Sequence, residues 1–507
     1  MDVAKLPSPH PAPRPTSRVK TANRDQLVLR MVDVEKLIPR HHPARMIWQM
    51  VGQLDLSHYE ATIEAVAGQA GRPAWDPQLL ISLWVYAYSK GISSAREIEQ
   101  RLSYDPAFQW LTGLEVINHH TLSDFRSSRE AELKQLFVQL LGVLSSQQLI
   151  RLKRVAHDGC KIRALASDKS FRRAATLERH LQQAQQWVEQ LNEAGSEELS
   201  ARRQQARQRA ARQRVKRLEE AQRQLLQLQR SRPDQPPDQA RVSWSDPEAR
   251  IMRTGHDGFI PAYNVQLSTD EQAGMVVGVA VTQEATDVAQ LQPALEQIAD
   301  NLNRKPEQIL VDGGYISQSN VVSVSQQEID LIGPWVDRKE KGGGNLKRRQ
   351  LDPAFYPEAF RYQPEPNTYQ CPAGQCLSYE GREVRPFQTR HRYRAKASTC
   401  RACAWQSRCC PNTHKGRSLV RIEAAPEVKA FQEKMQTPQA QQLYKKRAPL
   451  AEFTNAWIKE KIKLRQFRLR GLKKVSLEIL WACLSYNLQQ WIRRCRPGLL
   501  NPRPSPA

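Results

Sequence analysis

No apolar run in this 507-residue chain reaches the roughly 20 positions that a membrane span needs. The longest candidate, LLISLWVYAY, is too short and reads as a buried helix. The N-terminus, MDVAKLPSPHPAPRPTSRVK, lacks the apolar core of a signal peptide. It is Pro-rich and basic, so residues 1–25 read as a disordered arm. Without an export signal, nine cysteines in so long a chain speak for thiols or metal ligands and against disulfides. Acidic residues are scarce beside basic ones: 52 Asp and Glu against 76 Lys and Arg, a formal net charge of +24. A surplus this large favours a polyanionic partner over a merely basic soluble protein. The length exceeds what one core supports, so two or more domains are expected.

Residues 26–149 read as helical. Asp76-Pro77 is an N-cap with proline at the first helical position, and Gly91 ends that helix. Ser94 with Glu97 has the spacing of a capping box. Further helices cover DPAFQWLTG and the stretch from Thr121. Short helices joined by tight turns make either a helix-turn-helix-like DNA-binding module or an ordinary bundle that supports dimerisation. In the first case Arg126, Arg129 and the His119-His120 pair would face phosphates. The C-terminal residues 496–507 read as a disordered tail.

Strand character returns at 150–170. Leu177, Leu181, Ala184, Val188 and Leu191 then mark a coiled-coil seam, which Gly195-Ser196 breaks. Ala211, Val215, Leu218, Leu225 and Leu228 mark a second, looser one. The simplest reading of 176–232 is an antiparallel helical hairpin. Its second arm carries eleven Lys and Arg between Arg202 and Arg232 and few acids. Arg202, Arg207 and Arg214 are therefore candidate phosphate contacts, against the plainer reading of a solvated face.

YNVQLSTD and GMVVGVAVTQ read as strands joined by a turn at 271–274. DVAQLQPALEQIADNLNR is an amphipathic helix with Asp287 near its start. EQILVDGG is a strand, SQSNVVSVSQ a helix and IDLIGPW a strand. Setting the hairpin aside, three meandering strands followed by two βα units give an α/β fold with a ribonuclease-H-like order, over 150–337 and 426–495. Residues 338–425 interrupt it with the basic loop KEKGGGNLKRR and six cysteines. Residues 426–495 are helical.

Three acids stand out against this frame. Asp158 in VAHDGCKIRA and Asp312 in QILVDGGY each end a short apolar run and precede glycine, so each reads as a strand tip where a ligand can approach closely. Glu452 lies in the basic helical stretch YKKRAPLAEFTNAWIKEK. Two strand-end aspartates and a helix glutamate have the hard oxygens that two divalent ions require, Mg2+ or Mn2+, at a separation of about 4 Å. Such a pair of ions serves phosphodiester cleavage and joining. Any one of these acids alone would be read as a turn or cap carboxylate.

Ordered blocks strengthen the reading. DPQLLISLWVYAYSKGISSAREIEQRLSYDPAFQWLTG, VAHDGCKIRALAS, DPEARIM, YNVQLSTD, VTQEATDVAQLQP and ILVDGGY resemble, in sequence and order, bacterial insertion-sequence transposases of the DDE class. They look most like the IS eleven-eighty-two group, a relative of the IS five type, from about residue 30 to 495. That family's last block sets Tyr, Arg, the catalytic Glu and Lys on one helix, and Tyr444, Arg447, Glu452 and Lys459 stand in those places. Ala448, Pro449 and His157 depart from its usual pattern. The resemblance implies Asp158, Asp312 and Glu452 as catalytic, metal-binding residues, and Tyr444, Arg447 and Lys459 as DNA contacts. It implies double-stranded DNA as partner, both terminal inverted repeats and target, a homodimer in the synaptic complex, and a cytoplasmic, nucleoid-associated protein. A nuclease that cuts without integrating, or an inactive DNA-binding protein, are the alternatives.

Cys400-x-x-Cys403 has zinc-knuckle spacing, and Cys371 with Cys409 would complete a four-thiolate site, Cys410 or Cys376 serving as substitutes. The other reading is free thiols.

Overall fold

The computed structural model describes residues 31–495 apart from 64, 66–72, 194–200, 234–235, 256, 336–350 and 412–413. The N-terminal arm, Gly195-Ser196, the loop KEKGGGNLKRR and the C-terminal tail lie outside the described residues, as does the side chain of Arg202.

The helical start follows its caps. Asp76 accepts from the Gln78 amide ahead of helix Pro77–Ser89, and Ser94 accepts from Glu97 ahead of Ala95–Arg101. Asp105 caps Pro106–Thr112, which ends at Gly113 in the left-handed region. Helices His119–Ser128 and Glu130–Ser146 complete the group. Arg126 does not face phosphate. It is buried, donates to the Ser93 carbonyl and lies 4.7 Å above the Trp84 ring. Its helix turns that face inward, and a guanidinium over an indole is well placed in a core once its donors are used. Arg129 also turns inward, toward the rings of Tyr59 and Phe125.

A mixed six-stranded sheet forms the centre. Its strands are β1 (Arg154–Arg163), β4 (Arg250–Thr254), β5 (Gly258–Asp270), β6 (Val276–Thr282), β7 (Gln308–Leu310) and β8 (Asp330–Ile332). One edge of β5 pairs antiparallel with β1; its other edge takes β4 and then β6. β7 runs parallel to β1, and β8 parallel to β7. Helices Leu291–Leu302 and Gln318–Gln326 make the crossover connections to β7 and β8 that parallel strands require. The long helix Leu472–Cys495 packs on β6 and against the N-terminal helices. One apolar core thus runs from Ile38 through Trp84, Val265 and Trp481 to Ile492.

Helices Ala174–Glu193 and Ala201–Ser231 pack along each other, with Leu177, Leu218 and Leu225 in one cluster. Gln208 donates to the Leu191 carbonyl, so the two run antiparallel. The short pair β2 (Phe171–Arg172) and β3 (Val242–Ser243) joins their base. The cysteine-rich stretch has an architecture that the sequence did not suggest. It is a five-stranded antiparallel sheet: β9 (Arg361–Gln363), β10 (Thr368–Gln370), β11 (Cys376–Arg385), β12 (Gln388–Arg394) and β13 (Ser418–Ala424). Phe360, Leu377, Tyr393, Ala395 and Leu419 give it a small core of its own. Among the described residues no helix is long and apolar enough to cross a membrane.

Candidate active site

β1 outruns its parallel neighbour. β7 pairs only with Arg154 to Ala156, whereas β1 continues to Arg163. Beyond Ala156 that edge of β1 has no strand beside it until Arg163 meets Gln466, and the gap lies past the carboxyl end of β7, where ligands of such sheets characteristically bind; Asp158 is thus a mid-strand residue and not the strand tip expected. Asp158 lies in that opening, and Asp312 follows two residues past the end of β7. The Gly314 amide donates to Asp312 Oδ1 at 2.8 Å and fixes the loop.

Helix Arg447–Glu460 closes the opening on one face. Its Ala451 packs with Ala156, Leu310 and Ile332. Pro449 falls in its first turn, where a missing N–H costs nothing. Arg447, Ala451 and Asn455 recur at intervals of four and share a face. Arg447 Nη1 donates to Asp158 Oδ1 at 3.2 Å, and Asn455 Nδ2 to Asp158 Oδ2 at 2.9 Å. Burial pushes the Asp158 carboxyl above its ordinary range; Arg447 opposes this, and the charges of Asp312 and Asp287 add to it. Tyr444 lies beside Arg447 and, with Asp158, favours its charge. Lys459 lies beside Cys160, the residue two beyond Asp158. Glu452 sits on the same helix but is exposed. The structure therefore brings Asp158, Asp312, Arg447 and Tyr444 to one strand edge and leaves Glu452 exposed on the helix that carries Arg447.

The opposite face holds what the sequence reading passed over. Asp287 lies four residues before helix Leu291–Leu302, in the loop leaving β6. Its Oδ1 accepts from Asn264 Nδ2 at 2.7 Å and Gln266 Nε2 at 2.8 Å. Both amides are buried on β5. Gln266 Oε1 accepts from the Tyr315 hydroxyl at 2.6 Å and meets His157 Nε2 at 3.0 Å; His157 Nδ1 meets the Ser268 hydroxyl at 2.9 Å. An amide oxygen only accepts, so Nε2 carries the imidazole proton. Burial pushes His157 down to about 4, which keeps it neutral. His157 is thus a member of a polar network, and that accounts for its standing where an apolar residue is usual. The signal for this network was present: Asn264, Gln266 and Ser268 alternate as polar residues on one face of β5, between apolar Tyr263, Val265 and Leu267.

Glycines make the room. A Cβ on Gly159 would stand 2.5 Å from Asp287 Oδ1. A Cβ on Gly314 would stand 2.9 Å from Asp312 Oδ1 and 3.7 Å from Asp287 Oδ2. Gly159 thus lets Asp287 come close to β1, and Gly314 leaves a corner that Asp312 and Asp287 share. Two further atoms bear on what belongs there. Asn455 Oδ1 and Asn264 Oδ1 are buried acceptors with no hydrogen-bond partner, each on an amide that donates to one of these carboxylates. Among the described residues no three His, Cys, Asp or Glu stand close enough to hold one ion together.

The same holds for the cysteines. Cys371, Cys400, Cys403, Cys409 and Cys410 line one pocket with Phe355 and Leu377. The sulfurs of Cys371 and Cys400 accept from backbone amides of Gln375 and Arg417. Burial and the neighbouring sulfurs of Cys410, Cys371 and Cys400 push the Cys409 thiol up to about 11, against the pull of Arg417. The expected zinc ion on Cys371, Cys400, Cys403 and Cys409 finds no support, and Cys376 is exposed on β11. On the hairpin, Arg207 and Arg214 are exposed, and Arg214 lies 6.0 Å from the Trp244 ring. Glu478, on helix Leu472–Cys495, is fully buried and accepts from the amides of Arg468 and Leu469.

Residues 370–492 match the family described as "Transposase DDE domain", and residues 32–128 match "Transposase domain (DUF772)". No curated protein matches the chain. Among solved structures it is similar to the piggyBac transposase synaptic complex with hairpin DNA, determined by cryo-EM. That likeness has 8% identity and a TM-score of 0.28, and covers 89% of this chain and 75% of that one.

Proposed function

We infer that this chain, which carries the DDE and DUF772 domains of an insertion-sequence DDE transposase, binds the terminal inverted repeats of its own element, cuts there and joins the ends to target DNA. The observation that carries this reading is the meeting of Asp158 and Asp312 at one open strand edge, under a helix that brings Arg447. We read the sheet as a ribonuclease-H-like core, because β1, β5 and β6 form an antiparallel meander and β7 and β8 extend it in parallel.

The family implies a divalent metal, Mg2+ or Mn2+. The donor chemistry fits: hard carboxylate oxygens, space beside two glycines, and buried acceptors without donors. When bound, two such ions would deprotonate the attacking hydroxyl and stabilise the leaving oxygen. Asp158, Asp312 and Glu452 are the residues we assign to hold them. Arg447 already neutralises Asp158, so an ion and the guanidinium compete for Oδ1. Once displaced, Arg447 is placed with Tyr444 and Lys459 to hold a DNA phosphate beside the carboxylates. Arg202, Arg207 and Arg214 on the hairpin extend phosphate contact away from the site. Synapsis of two ends calls for at least a homodimer.

One observation favours a second reading, a DNA-binding protein without catalysis: both Asp158 oxygens are engaged by Arg447 and Asn455, and Glu452 stands exposed. A cleavage assay on DNA carrying the element's own ends separates the two. Nicking that needs Mg2+ and stops in EDTA supports the enzyme; binding without nicking supports the alternative. Adding target DNA then tells transposase from plain nuclease by whether strands are joined.

A further inference from the structure

Asp287 belongs to none of the assigned roles, and its surroundings are those of a working residue. A loop carboxylate at a helix approach needs only a turn amide or water. This one is held by two buried side-chain amides on a single oxygen, Oδ1. One of those amides is locked in turn by Tyr315 and by neutral His157. Gln266 has no freedom to rotate, because its oxygen accepts from two donors and its nitrogen faces Asp287. Such pinning fixes where the other oxygen, Oδ2, points. Among the described residues Oδ2 accepts no hydrogen bond. It lies 3.7 Å from the point a Gly314 Cβ would occupy, and Asp312 Oδ1 lies 2.9 Å from that same point. Asn264, fully buried, donates to Asp287 while its own Oδ1 has no donor. The carboxylates of Asp312 and Asp287 that meet at the glycine corner repel one another unless a cation lies between them.

We propose that Asp287 is a fourth acidic residue of the active site, and that with Asp312 it holds a divalent cation over Gly314. The inference rests on reading the Asp158–Asp312 edge as a metal-dependent site. It adds a seat that Arg447 does not occupy, since that guanidinium bonds Asp158 on the other face of β1. Asn264 and Gln266 are its positioning residues: they act on the ion only through Asp287, as second-shell amides orient a ligating carboxylate. Gly159 and Gly314 are required because a side chain at either would push into the carboxylates.

The test is Mn2+ binding to the full chain without DNA, by titration calorimetry or by the electron paramagnetic resonance of free Mn2+. Melting in EDTA checks the fold of each variant. Asp287→Asn keeps shape and both amide neighbours but loses charge. We expect its Mn2+ affinity to fall about tenfold or more, with melting in EDTA unchanged. Gly314→Ala keeps every charge but sets a methyl group against Asp312 Oδ1 in the corner, and its affinity should fall as well. Should Asp287→Asn fail to fold, Gly314→Ala decides, and wild-type affinity there overturns the proposal. Wild-type affinity in Asp287→Asn, with loss in Asp158→Asn and Asp312→Asn, removes Asp287 from the site and leaves the site standing. Wild-type affinity in all three variants overturns the site and the role of Asp287 together.

Discussion

Burial and the carboxylates of Asp312 and Asp287 push the Asp158 carboxyl up, while Arg447 pulls it down. One guanidinium therefore does, in the absence of metal, part of what a metal does in its presence. Replacing it has two opposite consequences. Arg447→Ala frees Asp158 Oδ1, so Mn2+ should bind the free protein more tightly, while affinity for DNA ends falls through the lost phosphate contact. Calorimetry with Mn2+ and filter binding with DNA read the two effects separately, and a parallel loss of both affinities would mean Arg447 only supports the fold. Glu452→Gln tests the proposed third carboxylate. Cleavage should drop by orders of magnitude with DNA binding kept, because the amide removes the charge an ion needs. Glu478→Gln should behave differently. Its carboxylate receives two backbone amides in the core, so the variant should melt earlier, at a cost of about 1–3 kcal/mol, and cut normally per folded molecule.

Helix Leu472–Cys495 is the element on which the whole site leans, and its start is held by acids from the block DPEARIM. Asp246 Oδ1 accepts from the Gly471 amide and the Tyr263 hydroxyl, and Glu248 accepts from Leu472. Asp246 is completely buried with Oδ2 unpaired, and burial raises it from 3.8 to about 6. A carboxyl raised on folding binds its proton more tightly folded than unfolded. Its contribution to stability is therefore full below pH 3.8, declines as pH rises to about 6, and is flat above. The decline is of the order of 3 kcal/mol. Asp246→Asn should lack that component, so the difference in melting temperature between it and the native chain should change between pH 4 and 6 and then level off. The hairpin makes a prediction of its own. Neutralising exposed Arg207 and Arg214 should flatten the salt dependence of DNA binding by about 0.9 in slope per lost phosphate contact. An unchanged slope would make the arm a solvated face.

At the scale of the molecule, the N-terminal helices and the sheet are not separable bodies. Trp84 and Trp481 lie in one core, Ser485 bonds the Val85 carbonyl, and the Trp481 indole bonds the Arg126 carbonyl. A fragment beginning at residue 150 would expose the apolar side of helix Leu472–Cys495, so it should melt without cooperativity and bind a hydrophobic dye; a sharp transition would contradict the shared core. This union also marks where the sequence stopped being legible. Caps at Asp76 and Ser94, the position of Asp312 just past β7, and the hairpin seam at Leu177 and Leu225 are local signals, and each appears where its pattern placed it; Asp158 instead stands in the middle of β1, because the strand runs on through Gly159 to Arg163 along β5. Arg126 looked like a phosphate contact because nothing local shows that its helix turns it toward Trp84. The five-stranded sheet went unread because its strands are polar and it buries few side chains, among them Leu377 and Tyr393. Asn455 and Asp287 went unread because each reaches its partners across the fold, Asn455 nearly three hundred residues from Asp158.

The most direct measurement is strand cleavage of DNA bearing the element's ends, with Mg2+, by the native chain and by Asp158→Asn at matched DNA occupancy. The account predicts nicking by the native chain that EDTA abolishes, and binding without nicking by the variant. Cleavage that persists in Asp158→Asn, or that proceeds in EDTA, would contradict it.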